Sequence, residues 1–144
     1  MADLCKLDTV EGVGRDDAAI EHAIGVCVRS FYAKAVTDPL LAPVFEGRIA
    51  DWEHHISRII DFWSRVLLGT SRYSGHPFLI HLILSVEPEH FDRWLALFEE
   101  TARETLDIPR AELAIARARH MSACFRAGLF PFTDRDGRPS RFPA

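Results

Sequence analysis

The sequence predicts a single all-α domain. Apolar residues recur at spacings of three and four, and almost no segment shows the two-residue alternation of a half-buried strand. Proline, glycine and acidic capping residues divide the 144-residue chain into segments of helix length. A chain of this size can bury a core of its own. We therefore expect four long helices and one short middle helix, joined by short connections.

The first half of the chain contains two predicted long helices. The first is expected from about Asp17 to Val36 and ends at Thr37-Asp38-Pro39, because the residue before a proline is pushed out of the helical region. Asp38 is expected to cap a short turn that leads to Phe45. The second long helix is predicted from Ala50 or Asp51 to Leu68, where Gly69 ends it. One broad face of this helix carries Trp52, His55, Ile56, Ile59, Phe62, Trp63, Val66 and Leu67.

The second half is expected to contain one short and two long helices. Pro77 can open the short helix, which runs to about Leu84. The long helices are predicted from Pro88 to about Asp107 and from Pro109 to about Gly128. We divide the chain into an N-terminal extension (1–15), a folded domain (16–130) and a flexible C-terminal tail (131–144).

Composition and charge exclude several classes of protein. The formal net charge of −4 argues against general nucleic-acid binding, which requires a basic face. No apolar run approaches the roughly 20 residues that span a bilayer, and the first residues do not resemble a secretory signal. The sequence thus predicts no nucleic-acid partner, no membrane association and a cytoplasmic location.

Two of the seven histidines lie in apolar settings. His81 stands inside the run FLIHLIL, and His55 lies on the apolar face of the second helix, whereas His54 must point away from that face. A buried imidazole needs a hydrogen bond or a metal, so His81 is either a core histidine bonded to a backbone carbonyl or a ligand. The remaining histidines are interpreted as surface or capping residues: His22, His76, His90 and His120.

The spacing of the histidines favours a flat cofactor over a closed zinc site. The chain has no H-E-x-x-H pair and no C-x-x-C pair, the usual sources of zinc ligands. Two lone inward histidines 26 residues apart suit a cofactor held between two helices, with one imidazole on an iron and the other over the open face. The chain also lacks C-x-x-C-H, so a haem would be held non-covalently.

A series of separated aromatic and histidine positions carries a family resemblance. In order they are Phe31-Tyr32, Val44-Phe45, Trp52-Glu53-His54-His55, Asp61-Phe62-Trp63, Leu67-Leu68-Gly69, Tyr73-Ser74-Gly75-His76-Pro77, His81 and the run from His90 to Phe98. In this order and register the chain resembles the third group of truncated haemoglobins, from about Ile24 to Phe125.

The resemblance implies a two-over-two helical sandwich around a non-covalent b-type haem. It implies that His81 is the proximal iron ligand, that Tyr32 and Trp94 are the polar groups of the distal pocket, and that His55 is the distal histidine and a gate. The implied haem pocket also includes Phe31, Phe45, Ile59, Phe62, Trp63 and Phe98. Candidates to reach the haem propionates are Arg58, Arg65 and Arg72, since arginine binds carboxylates well.

The implied function is the binding of dioxygen, nitric oxide, carbon monoxide or similar ligands at a pentacoordinate or weakly hexacoordinate iron. Redox handling of nitric oxide or peroxide would need a separate reductase, because the chain has no flavin or nicotinamide motif. Oxygen transport belongs to the same class of function. The alternatives are a gas or redox sensor, a ligand-transfer protein, or a haem-free helical interaction module. The last would require Glu-x-x-His pairs, of which Glu87-Pro88-Glu89-His90 is only an imperfect example.

Overall fold

The four long helices lie where the sequence predicts them, and the turn expected before Phe45 contains a further short helix. The computed structural model describes residues 17–75 and 86–144. Its helices are α1 (Asp17–Ala35), α2 (Ala42–Phe45), α3 (Trp52–Leu68), α4 (Pro88–Thr105) and α5 (Ile108–Leu129). The predicted short helix from Pro77 to Leu84 and the predicted N-terminal extension lie outside the described residues.

Local capping signals set the ends of the long helices. The Asp51 side chain accepts a hydrogen bond from the His54 backbone N–H at 3.1 Å, and Gly69 ends α3 with a φ of 74°. Before α5, Asp107 accepts from the Arg110 N–H at 3.0 Å. These contacts satisfy backbone groups that a helix end leaves without partners. Within the described segments, the predicted boundaries are therefore correct to within about two residues.

Two helix pairs enclose the core. Helix α1 packs on α3, α4 packs on α5, and contacts of α1 with α4 and of α3 with α5 join the two pairs. This is the predicted all-α, two-over-two arrangement. The most deeply buried large side chains are Ile24, Leu67, Ile115 and Val66.

Two sets of hydrogen bonds and ion pairs, at Lys34 and at Asp38, hold α1 and the following turn against α4. The Lys34 ammonium lies 3.1 Å from the Thr101 hydroxyl oxygen and 3.0 Å from a Glu104 carboxylate oxygen. As predicted, Asp38 caps the turn, because one of its oxygens accepts from the Leu41 N–H at 3.1 Å. The other Asp38 oxygen accepts from Arg93 Nε at 2.7 Å. Asp38 thus links the turn that leads into α2 to Arg93 of α4, the neighbour of Trp94.

The C-terminal segment contains a hairpin that the sequence did not predict. Strand β1 (Phe132–Thr133) pairs antiparallel with β2 (Pro139–Ser140). Beyond β2, Arg141 donates a hydrogen bond to the Val86 carbonyl at 3.1 Å and lies over the Phe130 ring. The flexibility of residues 131–144 stays a prediction. Within the described residues, no helix is both long and apolar enough to cross a membrane.

Candidate functional site

A large cavity lies between the two helix pairs. It encloses about 1240 Å³ of empty space, including the part that is open to solvent. Among the residues the structure describes, no Asp, Glu, Lys or Arg side chain lines this cavity. The lining residues are Val28, Phe31, Tyr32, Leu41, Val44, Phe45, His55, Ile59, Phe62, Trp63, Tyr73, Val86, His90, Phe91, Trp94, Phe98, Met121, Ser122 and Phe125.

One polar pair stands out in this apolar wall. The Tyr32 hydroxyl, from α1, lies 2.9 Å from His55 Nε2, from α3. Tyr32 is buried and His55 is half-buried. The neighbouring His54 is exposed, because consecutive helical residues lie about 100° apart. The structure thus places His55, and not His54, at the cavity.

Electrostatics keep both members of the pair neutral at neutral pH. Burial raises the pKa of the Tyr32 phenol above its usual range. Burial also lowers the pKa of His55, and the nearby Arg58 and His54 charges lower it further. Two tautomers of a neutral His55 fit the 2.9 Å contact: Nε2 either accepts the Tyr32 proton or donates its own proton to the Tyr32 oxygen. In the second case the Tyr32 O–H is left to donate to another acceptor.

Trp94 lies in a stack of aromatic rings on one wall of the cavity. Its ring is parallel to that of Phe98, with centroids 5.4 Å apart, and Phe98 stacks in turn on Trp63 at 4.7 Å. Phe31 meets Trp94 edge-on at 5.8 Å. No hydrogen bond of the Trp94 indole N–H is found within 17–75 and 86–144. Trp94 also lines the cavity, so its role as a ligand donor stays a prediction.

The predicted pocket residues come together. Tyr32, His55 and Trp94 line one cavity with the six residues predicted as haem-pocket walls: Phe31, Phe45, Ile59, Phe62, Trp63 and Phe98. Their roles toward a cofactor stay predictions. His81 lies outside the described residues, so its predicted role as iron ligand stays a prediction too.

Other wall residues were missed by the sequence analysis. Tyr73 is buried in the wall although it follows α3 in a loop, and Met121 and Phe125 reach the cavity from α5. Met121 and Phe125 lie on the apolar face of α5, and periodicity does not distinguish a core residue from a pocket residue. His90 was expected to be a capping or surface residue; its Nδ1 does accept from the Glu87 N–H at 2.8 Å, but the residue also lines the cavity.

The three candidate arginines differ in their surroundings. The Arg72 guanidinium binds Glu21 at 2.6 Å and Asp61 at 2.9 Å, so two carboxylates already occupy it. Arg58 lies over the Tyr73 ring, 5.5 Å from its centroid, and donates to the Ser74 carbonyl at 2.9 Å. Arg65 is half-buried and, within the described segments, makes no side-chain ion pair.

The Tyr73 hydroxyl and the Arg58 guanidinium converge beside Gly75. A Cβ atom at Gly75 would lie 3.0 Å from Arg58 Nη2 and 3.2 Å from the Tyr73 oxygen, and Gly75 has a φ of 143°. Burial raises the pKa of Tyr73, so its hydroxyl keeps its proton at neutral pH. Two donors thus meet at a place that glycine leaves open. Among the residues the structure describes, no cluster of three His, Cys, Asp or Glu side chains could hold a bare metal ion.

Comparisons with known proteins agree with this architecture. Residues 16–125 match the Bacterial-like globin family. The chain is 31% identical over 117 residues to a group 3 truncated haemoglobin of Campylobacter jejuni, covering 78% of this chain and 92% of that protein. It is 31% identical over 78 residues to a group 1 truncated haemoglobin of Nostoc commune, covering 54% and 64% of the two chains.

A solved structure gives the same result for the fold. The crystal structure of a group III truncated haemoglobin from Campylobacter jejuni superposes with a TM-score of 0.72 at 28% identity, covering 85% of this chain and 96% of that one. The family match spans most of the described helices, and the relative is matched over nearly its full length. The chain therefore belongs to the bacterial-like globins, within the third group of truncated haemoglobins.

Proposed function

We propose that this globin holds a non-covalent b-type haem in the cavity and binds small diatomic ligands there. The observation that carries the proposal is the Tyr32–His55 pair, which together with the wall residue Trp94 gives a largely apolar cavity a small set of donor groups. The site fits the group: parallel aromatic rings and aliphatic side chains suit the faces of a porphyrin. No C-x-x-C-H occurs in the sequence, which favours non-covalent attachment.

His81 is proposed as the proximal ligand on the strength of the family resemblance. It precedes Val86, a wall residue of the cavity, by five positions. Five residues of chain span at most about 18 Å. This short separation along the chain is compatible with the proposed role of His81.

The bound haem would supply an iron centre with an open position for a diatomic ligand. The chain's own residues decide how long a polar ligand stays. In the proposed state, His55 donates from Nε2 to the Tyr32 oxygen, and the Tyr32 O–H points into the cavity as a donor. Trp94 adds an N–H donor from the opposite pair of helices. Donors fixed before the ligand arrives stabilise negative charge on it without reorganisation.

Arg58 and Tyr73 are proposed to hold a haem propionate. Their donor groups meet beside Gly75, and the Tyr73 ring forms part of the cavity wall. A carboxylate there would accept charge-assisted hydrogen bonds, which are stronger than neutral ones. Arg72 is not assigned this role because Glu21 and Asp61 already bind it.

We further propose that the protein is cytoplasmic and carries out redox chemistry on nitric oxide or peroxide, with electrons from a separate reductase. Donors that slow ligand release favour reaction of the bound ligand over its rapid delivery. The chain has no flavin or nicotinamide motif of its own. A gas sensor that relays its ligand state to a partner is the second candidate, since it would use the same donors.

A haemin titration of the purified protein, with wild type and His81→Ala compared, tests the proposal. We expect uptake of one haem per chain and a sharp Soret band that shifts on reduction and again with carbon monoxide. His81→Ala should lose or alter that band. A wild-type protein that takes up no haem stoichiometrically would contradict the haem-centred function.

A further inference from the structure

A surface groove lies directly behind the polar pair. It runs between the C-terminal half of α1, helix α2 and the start of α3, and it is wide open to solvent. Its walls are Arg29, Tyr32, Ala33, Val36, Ala42, Phe45, Glu46, Gly47, Ile49, Trp52 and Ile56. Nothing in the proposed haem chemistry uses this groove.

Only the thickness of two aromatic side chains separates the groove from the cavity. Among the described residues, Tyr32 and Phe45 alone line both spaces. Their rings meet edge-on with centroids 5.7 Å apart, and Trp52 covers the pair from the groove side at 5.5 Å from Tyr32 and 6.1 Å from Phe45. The partition therefore consists of the Tyr32 and Phe45 rings, with Trp52 packed beside them in the groove wall.

The two rings of the partition are held very differently. Tyr32 is buried on the long helix α1 and is bonded to His55. Phe45 is half-buried at the last position of α2, a four-residue helix without a single buried residue. The chain then turns extended at Glu46 and passes through Gly47, where a Cβ would meet nothing within 4 Å. The Phe45 backbone carbonyl accepts a hydrogen bond from the Arg48 N–H at 3.0 Å, but its ring is held by packing alone, so the ring can rotate without breaking a hydrogen bond.

We propose that Phe45 is the gate through which apolar diatomic ligands pass from the groove into the cavity. Rotation of a loosely held ring takes picoseconds to nanoseconds at exposed sites, and small loop motions take nanoseconds to microseconds. The alternative passage past His55 requires the 2.9 Å hydrogen bond to Tyr32 to break. The Phe45 passage breaks no hydrogen bond. This inference rests on the proposed haem function, because it concerns the ligands of that site.

A groove-filling variant with a matched control tests the gate. Val36→Trp fills the groove from a position that does not line the cavity; Val36 is 42% exposed and directly follows α1. The control is Val26→Trp, which lies within α1 at 40% exposure and lines neither space. Both substitutions are at the surface, so both proteins are expected to fold and to take up haem.

The measurement is the association and dissociation rate of carbon monoxide in the haem-loaded variants. A residue that lies on the ligand's entry path but does not contact the bound ligand changes only the free-energy barrier to entry and exit. Val36→Trp should therefore lower both rates by the same factor, about three- to tenfold, and leave the Kd unchanged. Val26→Trp should change neither rate.

Unchanged rates in a haem-loaded Val36→Trp protein would overturn the gate and leave the proposed function intact. A changed Kd, or equal effects of Val36→Trp and Val26→Trp, would also overturn it. Failure of wild type to take up haem would overturn the proposed function, and this inference with it.

Discussion

Removal of the Tyr32 hydroxyl should release a polar ligand faster while the fold is kept. Tyr32→Phe deletes one oxygen and preserves the ring, which meets Phe31, Phe45 and Trp52 edge-on. The variant thus changes the hydrogen bonding of the cavity and leaves its shape unaltered.

The size of the effect follows from the strength of one hydrogen bond. A bond to a charged or strongly polarised acceptor contributes about 1.5–3 kcal/mol. Each 1.36 kcal/mol changes a rate tenfold, so the dissociation rate of dioxygen should rise about 10- to 150-fold. Carbon monoxide accumulates less negative charge when bound, and its dissociation rate should rise much less. The ratio of the two effects measures hydrogen bonding separately from packing.

The variant also leaves His55 without its partner. The cost of an unsatisfied polar group is about 1–3 kcal/mol when it is fully buried, and His55 is only half-buried. A typical domain has about 5–15 kcal/mol of stability, so Tyr32→Phe should remain folded and loaded with haem. Chemical unfolding of the variant checks this expectation.

Stopped-flow displacement of bound dioxygen by excess carbon monoxide gives the dissociation rate. Tyr73→Phe is the matched control, because Tyr73 is also a buried tyrosine of the cavity wall but contacts Arg58 instead of His55. Its dioxygen dissociation rate should stay within about twofold of wild type. A Tyr32→Phe rate equal to that of Tyr73→Phe would refute the assignment of Tyr32 as a ligand donor.

Three further substitutions test the charges around the site. The pKa of His55 lies below its usual 6.5, so the unfolded state binds more protons than the folded state as the pH falls through 6.5, and the free energy of unfolding should drop. Between pH 7.5 and 5.5, chemical unfolding should show a smaller drop in His55→Gln than in wild type. Equal drops would contradict a lowered pKa of His55 in the folded state. Arg58→Leu should raise the rate of haem transfer to an acceptor globin about tenfold, whereas Arg65→Leu should leave that rate unchanged. Faster haem transfer from Arg65→Leu than from Arg58→Leu would assign the propionate site to Arg65. Arg141→Ala, which removes the contacts of the C-terminal segment with the Val86 carbonyl and with the Phe130 ring, should lower the free energy of unfolding by about 1–2 kcal/mol, whereas the exposed Arg138→Ala should leave it unchanged. Equal losses would show that these contacts do not stabilise the fold.

Local signals explain why most of the helical framework could be predicted. Asp51 and Gly69 mark the ends of α3 through contacts made within four residues, and the phase of that helix alone separates His55 from His54. The positions of Tyr32, Trp94 and the phenylalanines around the cavity likewise follow from the inward face of each helix. Their convergence on one cavity required the family resemblance, because periodicity does not distinguish a core aromatic residue from a pocket residue.

Contacts between distant parts of the chain explain what sequence reasoning could not reach. The choice among Arg58, Arg65 and Arg72 depends on a carboxylate at Glu21, 51 positions before Arg72. The hairpin that ends in Arg141 is anchored 55 positions away, at the Val86 carbonyl. Neither hydrophobic periodicity nor a capping motif predicts such a pairing, because each partner alone looks like an ordinary charged surface residue or loop residue.

The position of Tyr32 makes ligand retention and ligand entry separable. Its hydroxyl faces His55 and the cavity, whereas its ring, beside that of Phe45, forms the partition to the groove. Tyr32→Phe removes the hydroxyl alone, so the dissociation rate and the Kd of dioxygen should both rise with little change in the association rate. Val36→Trp acts beyond the partition, so both rates should fall together at constant Kd. The double variant should combine the raised Kd of Tyr32→Phe with the lowered association rate of Val36→Trp, because the first change acts on the bound state and the second on the barrier. A Kd that returns to the wild-type value in the double variant would mean that the Tyr32 hydroxyl does not act on the bound ligand separately from the partition.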